Sequence, residues 1–320
     1  MRRRLIAGLF LGFFVVVALT LLGDVQRVGR EIASFPIGLV PLILGCTLFN
    51  YILRFFKWHY YLRLIGAGSI TILESAHIFV AGFPLAVTPG KVGEALKAAW
   101  LQRRSGTALS KGLVVVLAER ISDGLAVLAL STLGVLAYPR YWPVFAAVLI
   151  GLLGIIAISQ IRPLAVRLID LVSRLPVLQR LAEPVWELYE SAQVLFSPKA
   201  TITAVGLGTV AWLGEGVAMY LVLIGLGVPA SPSTLGLAVF VLAFSTVIGA
   251  ISALPGGLVA AEGSIAGMLA LTLGLAASTS ASATLLIRFA TLWFGVGLGL
   301  IVWGFSKDLL TLETSTQIRG

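Results

Sequence analysis

A chain of 320 residues that is 58% hydrophobic and 12% charged, with a mean hydropathy of +1.02, cannot hide so much apolar surface in one soluble core. It reads as an all-α polytopic membrane protein with a single membrane domain, 1–320. The net charge of +9, from 23 basic against 14 acidic residues, is the excess that cytoplasmic loops facing anionic lipid produce, so nucleic acid is set aside as a partner.

From the N-terminus, MRRR precedes an apolar run from Leu5 to Gly23, about 19 residues and long enough to cross a bilayer. It ends in Leu-Leu-Gly-Asp without a small-x-small cleavage site, which predicts an uncleaved first helix with its N-terminus inside. Cys46, the single cysteine, lies in the second span, so no internal disulfide and no thiolate metal site is available. That span runs from about Phe35 to Phe56 and ends in RFFKWHYYLR (Arg54 to Arg63), where Lys and Arg mixed with Trp58, Tyr60 and Tyr61 read as a cytoplasmic interfacial belt. The stretch from Phe83 to Glu94, FPLAVTPGKVGE, interrupts the next apolar segment. Ile70 to Val87 carries Glu74 and His77, Thr88-Pro89-Gly90 breaks it, and helical spacing resumes from Lys91 to Trp100 before Arg103 and Arg104. Broken helices at membrane depth are where transporters and membrane enzymes place their sites. Next come Gly112 to Tyr138 with Glu119, Arg120 and Asp123 inside, a Pro139-Arg140-Tyr141 turn, and a span from about Pro143 to Ile161. Residues 162–199 are Arg-rich, with prolines at 163, 176 and 184, and read as an amphipathic connector on the membrane surface.

The rest repeats this layout. A span from about Thr201 to Leu226 is followed by an apolar stretch from Ser233 to Leu254, a break at Pro255-Gly256-Gly257, a resumed helix through Glu262 to Leu273, and a last span from about Ala281 to Phe305. TPGKVGE in one half answers LPGGLVAAEG in the other, and paired Gly/Pro-interrupted segments are the mark of a transporter built from repeats. The expected architecture is about six transmembrane helices plus two re-entrant half-helix hairpins, in inverted repeats of about 1–138 and 142–306. This arrangement gathers most of the 23 basic residues on the cytoplasmic side with both termini, and the inner cell membrane is the expected location.

Each charge left unpaired in a helix centre would cost about 2.5 to 3.5 kcal/mol on insertion scales. Glu119 and Asp123 share a helix face and repel unless a cation sits between them or one holds a proton; Arg120 reaches Asp123 from the i,i+3 position. The alternatives are an ion pair that locks helix packing and a helix that lines a hydrated cavity. Lys91, Glu94, Glu262 and Arg288 add charges in both halves and favour the cavity. Half-helices that begin after Pro89-Gly90 and Pro255-Gly256 present free N–H groups and a positive dipole end, with Lys91 adding to an anion site suited to phosphate. Gly93 and Gly257 add room for close backbone approach. Glu215 reads equally as a proton carrier or a helix–helix contact. His59 and His77 are too few for zinc, and no HExxH, GxSxG or P-loop is present, so no metal, cofactor or catalytic residue is assigned.

PGKVGEALK (Pro89 to Lys97), the ER-x-x-D of Glu119, Arg120 and Asp123, and LPGG followed by EG (Leu254 to Gly257, Glu262, Gly263) together resemble the lysylphosphatidylglycerol synthase transmembrane family, also called the flippase-like domain family. The resemblance covers nearly the whole chain. It implies translocation of a membrane lipid, whether phospholipid, aminoacyl-phospholipid or polyprenyl-linked, with a synthetase or glycosyltransferase as candidate partner. The sequence runs only to Gly320, soon after the last span, and the expectation is a transporter without synthase activity. Lys91, Arg120 and Arg288 would contact phosphate; Glu94, Glu119, Asp123 and Glu262 would contact an amine or hydroxyls or carry a coupling proton. The alternatives are a membrane-embedded transferase, or an accessory subunit in lipid or glycolipid modification, and a carrier for a small anion.

Overall fold

In a bilayer each backbone N–H and C=O has to be satisfied inside the protein, and an apolar run does so most simply as a helix. The structure, a computed structural model, describes residue 12 and residues 24–88, 93–135, 142–163 and 182–306, and the regular elements among them are all helical. The expected first span apart from Gly12, the residues Pro89, Gly90 and Lys91, the turn at 139–141 and residues 164–181 of the connector lie outside the described residues.

A short helix that the sequence did not announce, α1 (Val25–Ala33), opens the described part, with the Asp24 side chain accepting from the Gln26 N–H. α2 (Val40–Leu64) extends well past the expected end at Phe56. α3 (Ile72–Ala81) starts at a capping box between Thr71 and Glu74 and passes into a 3-10 stretch, Phe83–Val87, where Pro84 and the approaching Pro89 end regular helix. Beyond that break come α4 (Leu96–Ser105), α5 (Leu109–Val135), α6 (Trp142–Gln160), α7 (Ala182–Leu195), α8 (Pro198–Gly225) and α9 (Pro232–Ile251). The second break is the 3-10 turn Pro255–Gly257, in which Gly256 and Gly257 adopt φ of +63° and +67°, a backbone that glycine reaches without a Cβ penalty. α10 (Ala260–Leu273) follows, and α11 (Ala277–Arg288), a π turn at Phe289–Trp293 and α12 (Phe294–Phe305) run on as one rod.

Among the described residues five segments are long and apolar enough to cross a membrane: Ile37–Leu64, Pro198–Gly225, Pro232–Ile251, Pro255–Leu273 and Ala277–Phe305. α5 has comparable length but carries Lys111, Glu119, Arg120 and Asp123. Large apolar side chains such as Ile150, Ile202, Leu271 and Phe305 face outward, as contact with lipid tails requires. This is a multi-pass helical membrane protein.

Two large apolar cores, with a small third cluster of Val28, Leu258 and Ala281, hold the described residues together. One gathers α8, α9 and the ends of α2 and α5 around Phe240 and Met219; the other packs the start of α5 with α3, α4 and the far end of α2 around Trp58 and Trp100. Among the described residues α2 lies along α8 in the most extensive helix pairing, and the two breaks touch each other, with Phe83–Val87 against Pro255–Gly257. The charged residues of α5, Glu119 to Asp123, fall near the junction of the two cores.

Candidate functional site

Between the cores lies a cavity of about 620 Å³, walled by both breaks and by charged side chains from α2, α5, α8 and α11. Its centre is Asp123. On α2, Arg54 and Lys57 are three residues apart and point the same way; Arg54 Nη2 lies 3.0 Å from Asp123 Oδ2, and Lys57 Nζ donates to Asp123 Oδ1. Arg120 Nη2 is 3.7 Å from the same Oδ2, and Arg120 Nε is 3.2 Å from Glu94 Oε2. The carboxylate that the sequence placed beside Asp123 is neutralised separately: Lys97 Nζ donates to Glu119 Oε2 at 2.5 Å and sits 4.2 Å over the Trp58 ring. The repulsion between Glu119 and Asp123 is thus relieved by cations from α2 and α4.

The i,i+3 contact from Arg120 to Asp123 exists, but it is the longest in the cluster. Closer partners come from other helices, and sequence reasoning missed three of them: Arg54, Lys57 and Lys97. The interfacial belt assigned to Arg54–Arg63 is corrected accordingly. Lys57, Trp58 and Tyr61 are fully buried and Arg54 is nearly so, while Arg63 is exposed. Mixed Lys, Arg and aromatic residues describe an interface equally well as a buried ion-pair lattice with cation–π support, because both need the same chemistry. A distinguishing signal was present: Thr47, Asn50, Arg54 and Lys57 recur at helical spacing and mark one polar stripe along an apolar helix.

The second half brings Glu262 and Arg288 together. Arg288 Nε donates to Glu262 Oε1 at 2.5 Å, and its Nη2 donates to the Gly256 carbonyl at 3.0 Å, so this cation braces the break Pro255–Gly257 from α11. Gly257 packs directly on the backbone of Gly249. In the first break, the Gly93 N–H donates to Thr88 Oγ1 at 2.9 Å. Arg54, Glu94, Arg120, Asp123, Gly256, Gly257 and Arg288 line the cavity, whereas Glu119 stands behind its wall and Glu262 faces a smaller apolar cavity of about 380 Å³ that shares Arg288. Arg120, with 30% of its side chain exposed, is the most open of these cations. His59 and His77 each meet a serine, Ser75 at 3.1 Å and Ser306 at 2.5 Å.

The model of the lysylphosphatidylglycerol synthase TM region matches residues 5–299, which takes in both breaks and the whole charged cluster. The chain belongs to this family. A UPF0104 membrane protein of Methanothermobacter thermautotrophicus is 29% identical over 225 residues, covering 65% of this chain and 66% of that relative, a little under two thirds of its length. Within the lysylphosphatidylglycerol synthase TM family, this chain therefore carries its charges inside a helical membrane domain, in a cavity bounded by two glycine-rich breaks.

Proposed function

We propose that the protein moves a lipid across the inner cell membrane: the headgroup passes through the charged cavity while its tails remain in the bilayer. The single observation that carries this is a cavity of about 620 Å³ at the meeting point of the two breaks, walled by Arg54, Arg120, Asp123 and Arg288 and surrounded by lipid-facing helices. Arg120 and Arg54 are the groups placed to take a phosphate; the guanidinium fork suits it in geometry as well as charge. Lys91, expected beside them, lies outside the described residues.

Six crossings with two re-entrant hairpins in inverted repeats are part of the same reading. At 1.5 Å per residue α3 and α4 span about 15 Å each and α10 about 21 Å, against about 30 Å of hydrocarbon. Arms of about 15 Å would bring the first break to mid-depth, where it touches the second, while in the second half α9 and the run Pro255–Leu273 are each long enough to cross fully.

A membrane-embedded transferase, or a subunit serving one, would need a carboxylate free to act as base or metal ligand. Glu94, Glu119, Asp123 and Glu262 are each held by a cation, which leaves Glu215 on α8 as the one buried carboxylate among the described residues that such an enzyme could use. A synthetase or glycosyltransferase acting on the same lipid is the partner this role calls for.

Reconstitution into liposomes with fluorescently labelled phospholipids and a polyprenyl phosphate tests the proposal. Wild type is expected to exceed empty vesicles, and Arg120→Ala to lose about tenfold or more, since a charge-assisted hydrogen bond contributes about 1.5–3 kcal/mol. Wild-type rates equal to empty vesicles for every lipid would overturn it, and a metal-dependent, covalently altered lipid would establish the transferase instead.

A further inference from the structure

Among the described residues five carboxylates are buried: Glu94, Glu119, Asp123, Glu215 and Glu262. Four have a cation within 3.2 Å. Glu215, on α8, is the exception: it opens onto the cavity wall and, among the described residues, takes part in no ion pair and no side-chain hydrogen bond. Arg54, Arg288 and Asp123 act on it from further away.

A second unsatisfied group lies across the helix pair. α2 and α8 run antiparallel: a Cβ on Gly208 would meet Lys57, one on Gly214 would meet Cys46 and Phe49, and one on Gly225 would meet Phe35. This register sets Glu215, next to Gly214, level with Cys46 to Phe49 on α2, and its side chain leans towards the N-terminus of α8, the direction in which α2 runs on to Lys57. Asn50 belongs to the same helical row as Cys46 and Lys57, four after the one and seven before the other, and so faces α8 about one turn from the level of Glu215, on the side towards which that side chain leans. It is fully buried, and neither its Oδ1 nor its Nδ2 has a hydrogen-bond partner; Thr47 Oγ1, one turn away, is also buried and without one.

We propose that Glu215 is the proton-binding site of the transport cycle, with Asn50 as the group that stabilises both of its protonation states. Protonating any of the other four acids would strand a buried cation, which is expensive; Glu215 takes up a proton without breaking an ion pair. An amide can serve both states, because its Nδ2–H donates to a carboxylate and its Oδ1 accepts from a carboxylic acid. The proton comes from and returns to water in the cavity, which its size and polar wall admit. The charged and titratable groups around Glu215 are Tyr51, Arg54 and Lys57 on α2, Arg120 and Asp123 on α5, and Arg288 on α11. α9 contributes no ionisable residue, and α7, which also meets α8, carries Glu187, Tyr189 and Glu190. When Glu215 is neutral the cavity gains net positive character beside Arg54 and Arg120, which favours an anionic headgroup; deprotonation favours its release. The coupling role rests on the transport reading above, whereas the proton site does not.

Infrared difference spectra of the purified full chain between acid and neutral pH, in H2O and D2O, read buried carboxyls without any lipid substrate. A titrating, deuterium-sensitive carboxyl band is expected in wild type, absent in Glu215→Gln and moved in pH midpoint by Asn50→Leu. Glu215→Asp, which keeps the carboxyl, should shift the band and serves if the Gln variant does not fold. In parallel, liposomes containing fluorescently labelled phosphatidylglycerol are given a pH gradient, which should accelerate lipid movement in wild type and not in Glu215→Gln. An unchanged band in Glu215→Gln, or equal gradient sensitivity in that variant, overturns the proton site and leaves the transport reading standing. Loss of the band together with no lipid movement in any protein supports the site and removes the transport reading.

Discussion

Lys97 and Glu119 are each nearly or fully enclosed by protein, and neither is stable there alone. Removing one partner of such a pair leaves the other charge without compensation, at a cost of about 3–5 kcal/mol, whereas replacing both with apolar residues of similar volume is close to neutral. Glu119→Gln is therefore expected to lower the unfolding midpoint of the detergent-solubilised protein sharply, and the double variant Lys97→Met/Glu119→Leu to recover most of the loss. Glu119 stands behind the cavity wall, and Lys97, which lines that wall, has its amine held by Glu119, so the double variant should also keep lipid movement, in contrast to Arg120→Ala. A double variant that is stable yet inactive would move this pair from packing into the site. Measuring stability and transport on the same three proteins thus separates the two readings that the charges in α5 allow.

At the scale of elements, the breaks depend on close approach by neighbouring helices. Gly299 on α12 faces the first break: a Cβ there would overlap Pro84 Cδ and come within 2.8 Å of the Val80 carbonyl oxygen. Gly299→Ala is expected to cost about 1–3 kcal/mol by overpacking, and to raise amide exchange from Phe79 to Thr88. Gly297→Ala, with open space at that position, should do neither and is the control. Helix positions and both breaks were legible in the sequence because Pro and Gly punctuate apolar runs, and α8 and α9 begin and end within a few residues of where hydropathy puts them. Partner identity was not. Linear spacing shows which residues share a helix face but not which helix that face meets, so Arg54 and Lys57 passed as interface cations and Lys97 as a helix residue without a partner. α1 escaped notice because nine polar-rich residues carry no span-length signal.

For the whole molecule, inverted repeats make a definite claim about sides. Contacts already sort the helix ends into two groups: Glu31 of α1 accepts from Ser278 and Thr279, and Phe35 packs at Gly225, while Ser69 donates to the Ser105 carbonyl and Ser110 donates to Glu187. Among the described residues the second group adjoins Arg63, Arg103, Arg104 and Lys111 and the first adjoins Arg27 and Arg30, the asymmetry expected of a cytoplasmic and an outer end. In a Cys46→Ser background, single cysteines at exposed Gln26 and Ala230 are expected to react with an impermeant maleimide in intact cells, and one at exposed Ser69 only after permeabilisation. Whether α9 and α10 stop midway or both cross fully, the chain returns to the side it entered from, so the labelling reports the relation of the halves and not the depth of the second break. If Ser69 and Ala230 were to label from one side, the two breaks would enter the membrane in the same direction. Their half-helix dipoles would then be parallel, and a cavity gripped from opposite faces could not be built from them.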